Sequence, residues 1–230
     1  MASNPFDLVY PVVVAPTTSP AYIAGSIAGS QILGGTNLSS ISVNLNMTNY
    51  IAGRDVLVMF AVTGTADISA LTATLNGVSA SAITFAGGFH PNGCPFVGYA
   101  RFPASSFAAT SALVINSVAE VVMRDIGGAA FVIDTAATLV AFGTPIEASL
   151  SNPLSITDNA QADDVIIAAA LGQNTAPWSW TGATEQNEVD IRSDEFFAVA
   201  SETATTTGSE TVTASGIRSL AASVIAVIVR

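Results

Sequence analysis

The segment GRDVLVMFAVTG, residues 53–64, sets the pattern of this chain, because it is apolar from Val56 to Val62. A short apolar run that begins and ends near glycine is typical of a β-strand buried on both faces. A second segment, ADDVIIAAALGQ at 162–173, has a sequence similar to the first. The sequence therefore predicts two buried central strands, one in each half of the chain.

Further strands are predicted around these two segments. SISVNLNMT at 40–48 alternates apolar and polar residues, as half-buried strands do. The first central strand is followed by PFVGYARF, SALVINS and AAFVIDT, and the second is followed in the same order by EFFAVASE, SETVTAS and LAASVIAVIV. Turn residues separate the runs at the spacing of sandwiches and barrels. No segment carries the 3.6-residue apolar stripe of a long helix.

The repeated order of strands predicts two related halves, about 39–141 and 153–230, linked near 142–155. Such halves can form two stacked modules or two halves of one sandwich. Because each half has only about five short strands, one sandwich is favoured. The predicted fold is all-β, a jelly-roll-like β-sandwich over 39–230. Residues 1–38 are rich in Pro, Gly and Ser at 15–37, which predicts an extended N-terminal arm.

The composition is unusual for a freely diffusing protein. The 230 residues include no lysine and six arginines, and only 10% are charged, whereas ordinary domains have about 25%. A surface of Ser, Thr, Asn, Gly and Ala indicates that other subunits cover much of it. A source proteome that avoids lysine is the alternative explanation. We therefore expect a stable homo-oligomer.

Several classes of partner are disfavoured. A net charge of −11 with no basic cluster argues against nucleic acid. The N-terminus, MASNPFDLVYPVVV, lacks the features of a signal peptide, and LAASVIAVIV at 220–229 is about half the length of a membrane helix. We expect a soluble protein made in the cytoplasm, without a membrane partner. The single cysteine, Cys94, excludes an internal disulfide.

The segment PWSWTGATEQNE contains both tryptophans, Trp178 and Trp180, which a strand would place on one face. The rings could stack on sugars while Gln186 and Glu188 bind hydroxyl groups. They could instead pack at the edge of the core or in a subunit interface, where tryptophan is enriched. The core or interface interpretation is favoured, and the glycan platform is kept as the alternative.

No catalytic or cofactor site is predicted. FAGGFHPNGCPF at 85–96 could pair His90 with Cys94 as base and nucleophile. Its Gly, Pro and Asn residues favour a tight loop, in which His90 and Asn92 are possible contacts. Acidic residues at 185–195 suit calcium by type, but their spacing matches no EF-hand, so no metal is expected. Known catalytic motifs are lacking, and the protein is predicted not to be an enzyme.

The order of motifs resembles a group of phage- and prophage-encoded β-sandwich proteins. Their pattern is a Gly-Asp-hydrophobic strand, a Trp-Thr strand (WSWTGATEQ here), a Ser/Thr-rich strand and a terminal strand like LAASVIAVIV. The resemblance covers most of 39–230, with Arg54-Asp55 and Asp163-Asp164 in place of Gly-Asp.

This resemblance implies a virion protein. The leading hypothesis is a capsid decoration or cement protein, expected to be a trimer, that binds the major capsid protein or another virion protein and stabilises the head. Its arm would reach a neighbouring subunit. The alternative is a head-spike or tail-fibre module that binds host glycans through Trp178 and Trp180.

Overall fold

The computed structural model describes residues 21–22, 38–91, 94–119, 122–174, 177–192, 195–216 and 218–230. These residues form antiparallel β-strands and contain no helix. The prediction of an all-β sandwich is confirmed, while its jelly-roll character stays a prediction.

The first repeat is built from strands that form two sheets. Inner sheet 1 has the order β1-β9-β3-β7-β6, and outer sheet 1 has the order β2-β8-β4-β5. The strands are β1 (Ala21–Tyr22), β2 (Ser40–Asn46), β3 (Asp55–Gly64), β4 (Leu71–Leu75), β5 (Val78–Ser79), β6 (Ala82–Gly87), β7 (Cys94–Phe102), β8 (Thr110–Ser117) and β9 (Met123–Ile133).

The second repeat reproduces this arrangement almost strand for strand. Inner sheet 2 has the order β10-β18-β13-β16-β15, with β11 also on β18, and outer sheet 2 has the order β12-β17-β14. The strands are β10 (Leu139–Ala141), β11 (Ile146–Ser149), β12 (Leu154–Ala160), β13 (Val165–Asn174), β14 (Ser179–Thr181), β15 (Thr184–Arg192), β16 (Glu195–Thr203), β17 (Gly208–Ser215) and β18 (Arg218–Val229). Among the described strands, β5 of the first repeat and β11 of the second have no counterpart in the other repeat.

The four sheets stack as four layers around three cores. Outer sheet 1 packs on inner sheet 1, the two inner sheets pack on each other, and inner sheet 2 packs on outer sheet 2. The sequence favoured two halves of one sandwich over two stacked modules. The structure shows two stacked modules, because each half builds its own pair of sheets. We call the layer between the inner sheets the central core.

Strand β3 shows that both faces of an inner sheet are apolar and pack against a neighbouring sheet. Val56, Val58 and Phe60 face outer sheet 1, whereas Leu57 and Met59 face the central core. Strand β13 alternates in the same way between the central core and outer sheet 2. The continuous apolar run of each segment therefore reflects burial on two faces, as the sequence predicts.

The two repeats correspond with a one-residue offset from the alignment suggested by the sequence. Before each central strand lies a turn with positive φ, 81° at Gly53 and 70° at Asp163. Asp163 therefore takes the place of Gly53, and Asp164 takes the place of Arg54. The shared Asp-Val dipeptide favours the other alignment, but that register would turn the wrong face of β13 to the central core.

The edge strands mark where each repeat begins. Ala21 pairs with Val132 on the last strand of the first repeat, and Leu139 pairs with Val229 on the last strand of the second. The second repeat thus starts with β10, ahead of the link predicted at 142–155. Apart from β1 and Leu38, the predicted arm at 1–38 lies outside the described residues.

Candidate functional site

Trp178 belongs to the core between inner sheet 2 and outer sheet 2. Its side chain is 4% exposed, and its indole Nε1 donates to the carbonyl of Phe196 at 3.0 Å. A Cβ at Gly172 would lie 2.5 Å from the Ala222 Cβ and 3.1 Å from the ring, so glycine leaves room for both side chains. A ring packed in this way has no face open to a ligand.

Trp180 packs against the same core from strand β14, as the spacing of the two rings predicts. It is partly buried, and its indole nitrogen is buried without an acceptor among the described residues. The turn that follows requires Gly182, which has a φ of 74° and a Cβ position only 2.0 Å from the Thr211 carbonyl oxygen. The glycan platform considered for the two rings is therefore not formed by them, because both pack inward.

Glu188 lies beside Trp178 and has a structural partner there. Its Oε2 accepts the backbone N–H of Trp178 at 2.6 Å. Burial raises the pKa of Glu188, and repulsion from Glu185 adds to the increase. Gln186 lies where the pairing of β15 with β16 is irregular, and its amide donates to the Thr184 carbonyl at 3.3 Å. Both side chains therefore bond within the protein, on the edge strand β15.

The loop that contains His90 is separate from the tryptophans and lies in the first repeat. Cys94 begins strand β7 and is 7% exposed in the core between outer sheet 1 and inner sheet 1, which we call the first core. Burial raises the pKa of its thiol above the ordinary value of 9.0. A hydrogen bond with the His90 backbone lowers this pKa, but by less than burial raises it. A thiol that stays protonated is a poor nucleophile. Asn92, the other predicted contact, lies outside the described residues.

The outermost faces of the stack are free of charge in every described position. On outer sheet 1 the outward residues of β2, β4 and β8 are Ser40, Ser42, Asn44, Asn46, Thr72, Thr74, Thr110, Ala112, Val114 and Asn116. On outer sheet 2 those of β12, β14 and β17 are Ser155, Thr157, Asn159, Ser179, Thr181, Ser209, Thr211, Thr213 and Ser215. We call these two surfaces the outer faces.

Hydroxyl groups on the second outer face pair across strands. Ser155 bonds to Thr213 at 2.8 Å, and Thr157 bonds to Thr211 at 2.7 Å, between β12 and β17. Such pairs fix side chains that would otherwise be mobile. The alternation of polar residues at 42, 44 and 46 predicts one solvent-exposed strand face in the first repeat. The sequence does not reveal that both outermost faces lack charge.

An open groove of about 670 Å³ lies at one end of the first repeat, between the β2–β3 and β7–β8 loops. Tyr50 and Phe107 meet edge to face in it, with ring centroids 5.1 Å apart and planes at 80°. The Tyr50 hydroxyl donates to the Arg54 carbonyl at 2.6 Å. The lining residues are Tyr50, Ala52, Gly53, Ala104, Ser105, Ser106 and Phe107.

The second repeat has shorter loops at the equivalent place, and they bond directly to each other. The Asp163 N–H donates to the Ala204 carbonyl at 2.8 Å, and the Ala204 N–H donates to the Asp164 carbonyl at 2.9 Å. Sequence reasoning missed the groove. Unequal loop lengths between otherwise matching strands were the available signal.

Within the described residues, no group of three or more His, Cys, Asp or Glu side chains is placed to hold a metal ion. The same part of the chain has no helix with the length and apolarity of a membrane span. In comparisons with known proteins, no family model, curated protein or solved structure matches the chain.

Proposed function

We propose that this protein is a structural component of a phage particle, a decoration or cement protein that packs against neighbouring protein subunits. The observation that carries the proposal is the pair of uncharged outer faces. Burying a charge is costly unless it is paired, whereas hydroxyl and amide groups need only a hydrogen-bond partner. A face without charge can therefore be covered by protein at low desolvation cost.

The position of the two faces supports a role in assembly. They lie on opposite sides of the four-layer stack, so one molecule can contact partners on two sides. The cores of protein interfaces are also depleted of charged residues. The described carboxylates lie elsewhere. Glu147 and Asp190 are exposed on β11 and β15, and Asp158 and Glu210 are half-buried on the side of outer sheet 2 that faces the core. One face would form the trimer, and the other would meet the major capsid protein or another virion protein.

The proposal rests on contacts between subunits and needs no catalysis. The resemblance to phage β-sandwich proteins suggests the particle, and the outer faces suggest how the protein binds within it. At roughly 25 cal/mol per Å² of apolar area, even a mixed face contributes usefully to association, although area never converts directly to affinity.

Native mass measured by light scattering after size exclusion tests the proposal. We expect a trimer for the unaltered protein. Placing a charge in the centre of one face, with Asn44→Arg or Thr211→Arg, should reduce the mass to that of a monomer for whichever face forms the interface. Ala162→Arg adds the same charge at an exposed turn away from both faces, and it should leave the trimer intact.

Two outcomes contradict the proposal. One is a monomer at every concentration in the unaltered protein. The other is a trimer that survives both face substitutions, because the interface would then lie elsewhere. Circular dichroism of each variant separates loss of assembly from loss of the fold, and the outward position of both residues favours retention of the fold.

A further inference from the structure

We infer that the groove between the β2–β3 and β7–β8 loops binds a neutral carbohydrate chain. None of its seven described lining residues carries a charge. The lining combines the partly buried rings of Tyr50 and Phe107 with the serines Ser105 and Ser106. This inference does not depend on the proposed assembly, because none of the residues that line the groove belongs to either outer face.

The chemistry of a pyranose matches this lining. A sugar ring has one apolar face of C–H groups and a rim of hydroxyl groups, so it stacks on an aromatic ring while its edges form hydrogen bonds. Ligand sites usually combine apolar walls with a few polar groups that fix orientation. Because neither cation nor carboxylate lines the groove among the described residues, a neutral sugar fits better than a charged one.

The walls of the groove are already held in place. Met47 N–H donates to the Ala109 carbonyl at 2.7 Å and joins the two loops at their base. Ala104 N–H donates to Asp55 at 2.9 Å and anchors the second wall. The Tyr50 ring is fixed by its hydrogen bond to Arg54 and by contact with Phe107. Walls that need no ordering on binding lose less affinity to entropy.

The second repeat supplies an internal comparison. There the shorter loops bond to each other, and Ala162 N–H also bonds to the Thr207 hydroxyl at 3.2 Å. These hydrogen bonds bring the two loops together at the position that corresponds to the groove of the first repeat. The longer loops of the first repeat are thus not required by the shared fold, which is consistent with a separate role in binding.

Calorimetric titration with cellohexaose, maltohexaose, chitohexaose and mannohexaose tests the inference. We expect at least one to bind with a dissociation constant of about 1 mM or lower. Phe107→Ala removes a stacking ring, and Ser106→Trp fills the groove from an exposed position. Each should weaken binding at least tenfold. Thr206→Trp places the same side chain on the matching loop of the second repeat and should leave the affinity unchanged.

The inference is overturned if none of the four sugars binds, or if Ser106→Trp binds as the unaltered protein does. Tighter binding of an acidic hexamer such as hexagalacturonate would also overturn it, since the groove was assigned to neutral sugars. Phe107 packs against the first core, so thermal unfolding of Phe107→Ala is measured alongside. If that variant unfolds, Ser106→Trp carries the test. The native mass of these variants should not change.

Discussion

The two repeats contain the same ion pair with its charges exchanged. In the first repeat Arg54 bonds to Asp134, and in the second Asp164 bonds to Arg230 at 2.8 and 3.0 Å. In both, the pair joins the turn before the central strand to the residue after the last strand. The position therefore requires opposite charges and not a particular sign. What the fold needs here is a connection between the two strand ends.

The first repeat has a further ion pair, between Arg101 and Asp55, that has no equivalent at the matching described positions of the second. Arg101 Nε bonds to Asp55 at 2.7 Å, and the equivalent positions in the second repeat are Ser201 and Val165. The Arg101 guanidinium also donates to the carbonyl of Thr135 at 2.8 Å. That carbonyl belongs to the linker at 134–138, which leads from β9 to the second repeat. Arg101 thus holds the connection between the repeats.

We expect the largest loss of stability from Arg101→Ser, which places serine, the residue at the equivalent position of the second repeat, in the first repeat. Asp55 is 7% exposed and would lose its cation, although Ala104 N–H still bonds to it. Removing one partner of a buried pair costs about 3 kcal/mol or more. The free energy of unfolding, measured by urea denaturation, should fall by about that amount.

The matched control is the double variant Asp55→Val with Arg101→Ser. It places in the first repeat both residues that the second repeat has at these positions. It removes the carboxylate as well as the cation, so it should recover much of the loss, because apolar replacements of buried pairs are often tolerated. If the double variant is less stable than Arg101→Ser alone, the carboxylate has a role beyond pairing.

A smaller effect is expected from the exchanged pairs. Arg230→Ala leaves Asp164, 3% exposed, without its cation and should cost about 2 kcal/mol, less than a fully buried pair because solvent reaches Arg230. Arg54→Ala should cost less again, because its partner Asp134 is 20% exposed whereas Asp164 is 3% exposed. Urea denaturation compares the two.

Exchanging the charges in the first repeat sharpens the comparison. Arg54→Asp alone places two carboxylates together and should destabilise the protein. Adding Asp134→Arg restores a pair with the polarity of the second repeat and should recover most of the loss. Some loss should remain, because Asp134 also accepts the N–H of Ala136 at 2.9 Å. No recovery in the double variant would show that the sign of each charge matters.

The sequence predicted the strands well because burial leaves a periodic signal. The runs at 55–62 and 164–171 indicated strands buried on both faces, and the alternation at 41–47 indicated a half-buried one. The residue register was missed, since the shared Asp-Val dipeptide is local, whereas register depends on which face meets the central core. The stacking of four sheets depends on contacts between the repeats, which a single sequence does not report.

The candidate sites were harder to predict for a similar reason. The spacing of Trp178 and Trp180 predicted that both rings share a face, and they do. It did not show which way that face points, and the structure turns it inward. The groove around Tyr50 arises from a difference in loop length between the repeats, so no residue within it carries a distinctive motif.

The smallest effect expected is a difference in the sign of the pH dependence between the repeats. Burial raises the pKa of Glu188 in the second repeat above its ordinary value of 4.5. Its stabilising contribution is therefore present below that value and is lost as the pH rises through the folded-state pKa. The N–H of Ala136 and then Arg54 lower the pKa of Asp134 in the first repeat below 3.8. Its contribution is present above that value and is lost as the pH falls.

Thermal unfolding of Glu188→Gln and Asp134→Asn between about pH 3 and pH 7 tests this difference, because each carboxyl loses its titration while its shape is kept. Relative to the unaltered protein, Glu188→Gln should gain stability as the pH rises, since a neutral side chain tolerates burial at every pH. Asp134→Asn should lose stability over the same rise, since only the ionised carboxylate pairs with Arg54. Parallel curves for the two variants would contradict the opposite environments that the repeats provide for these carboxylates.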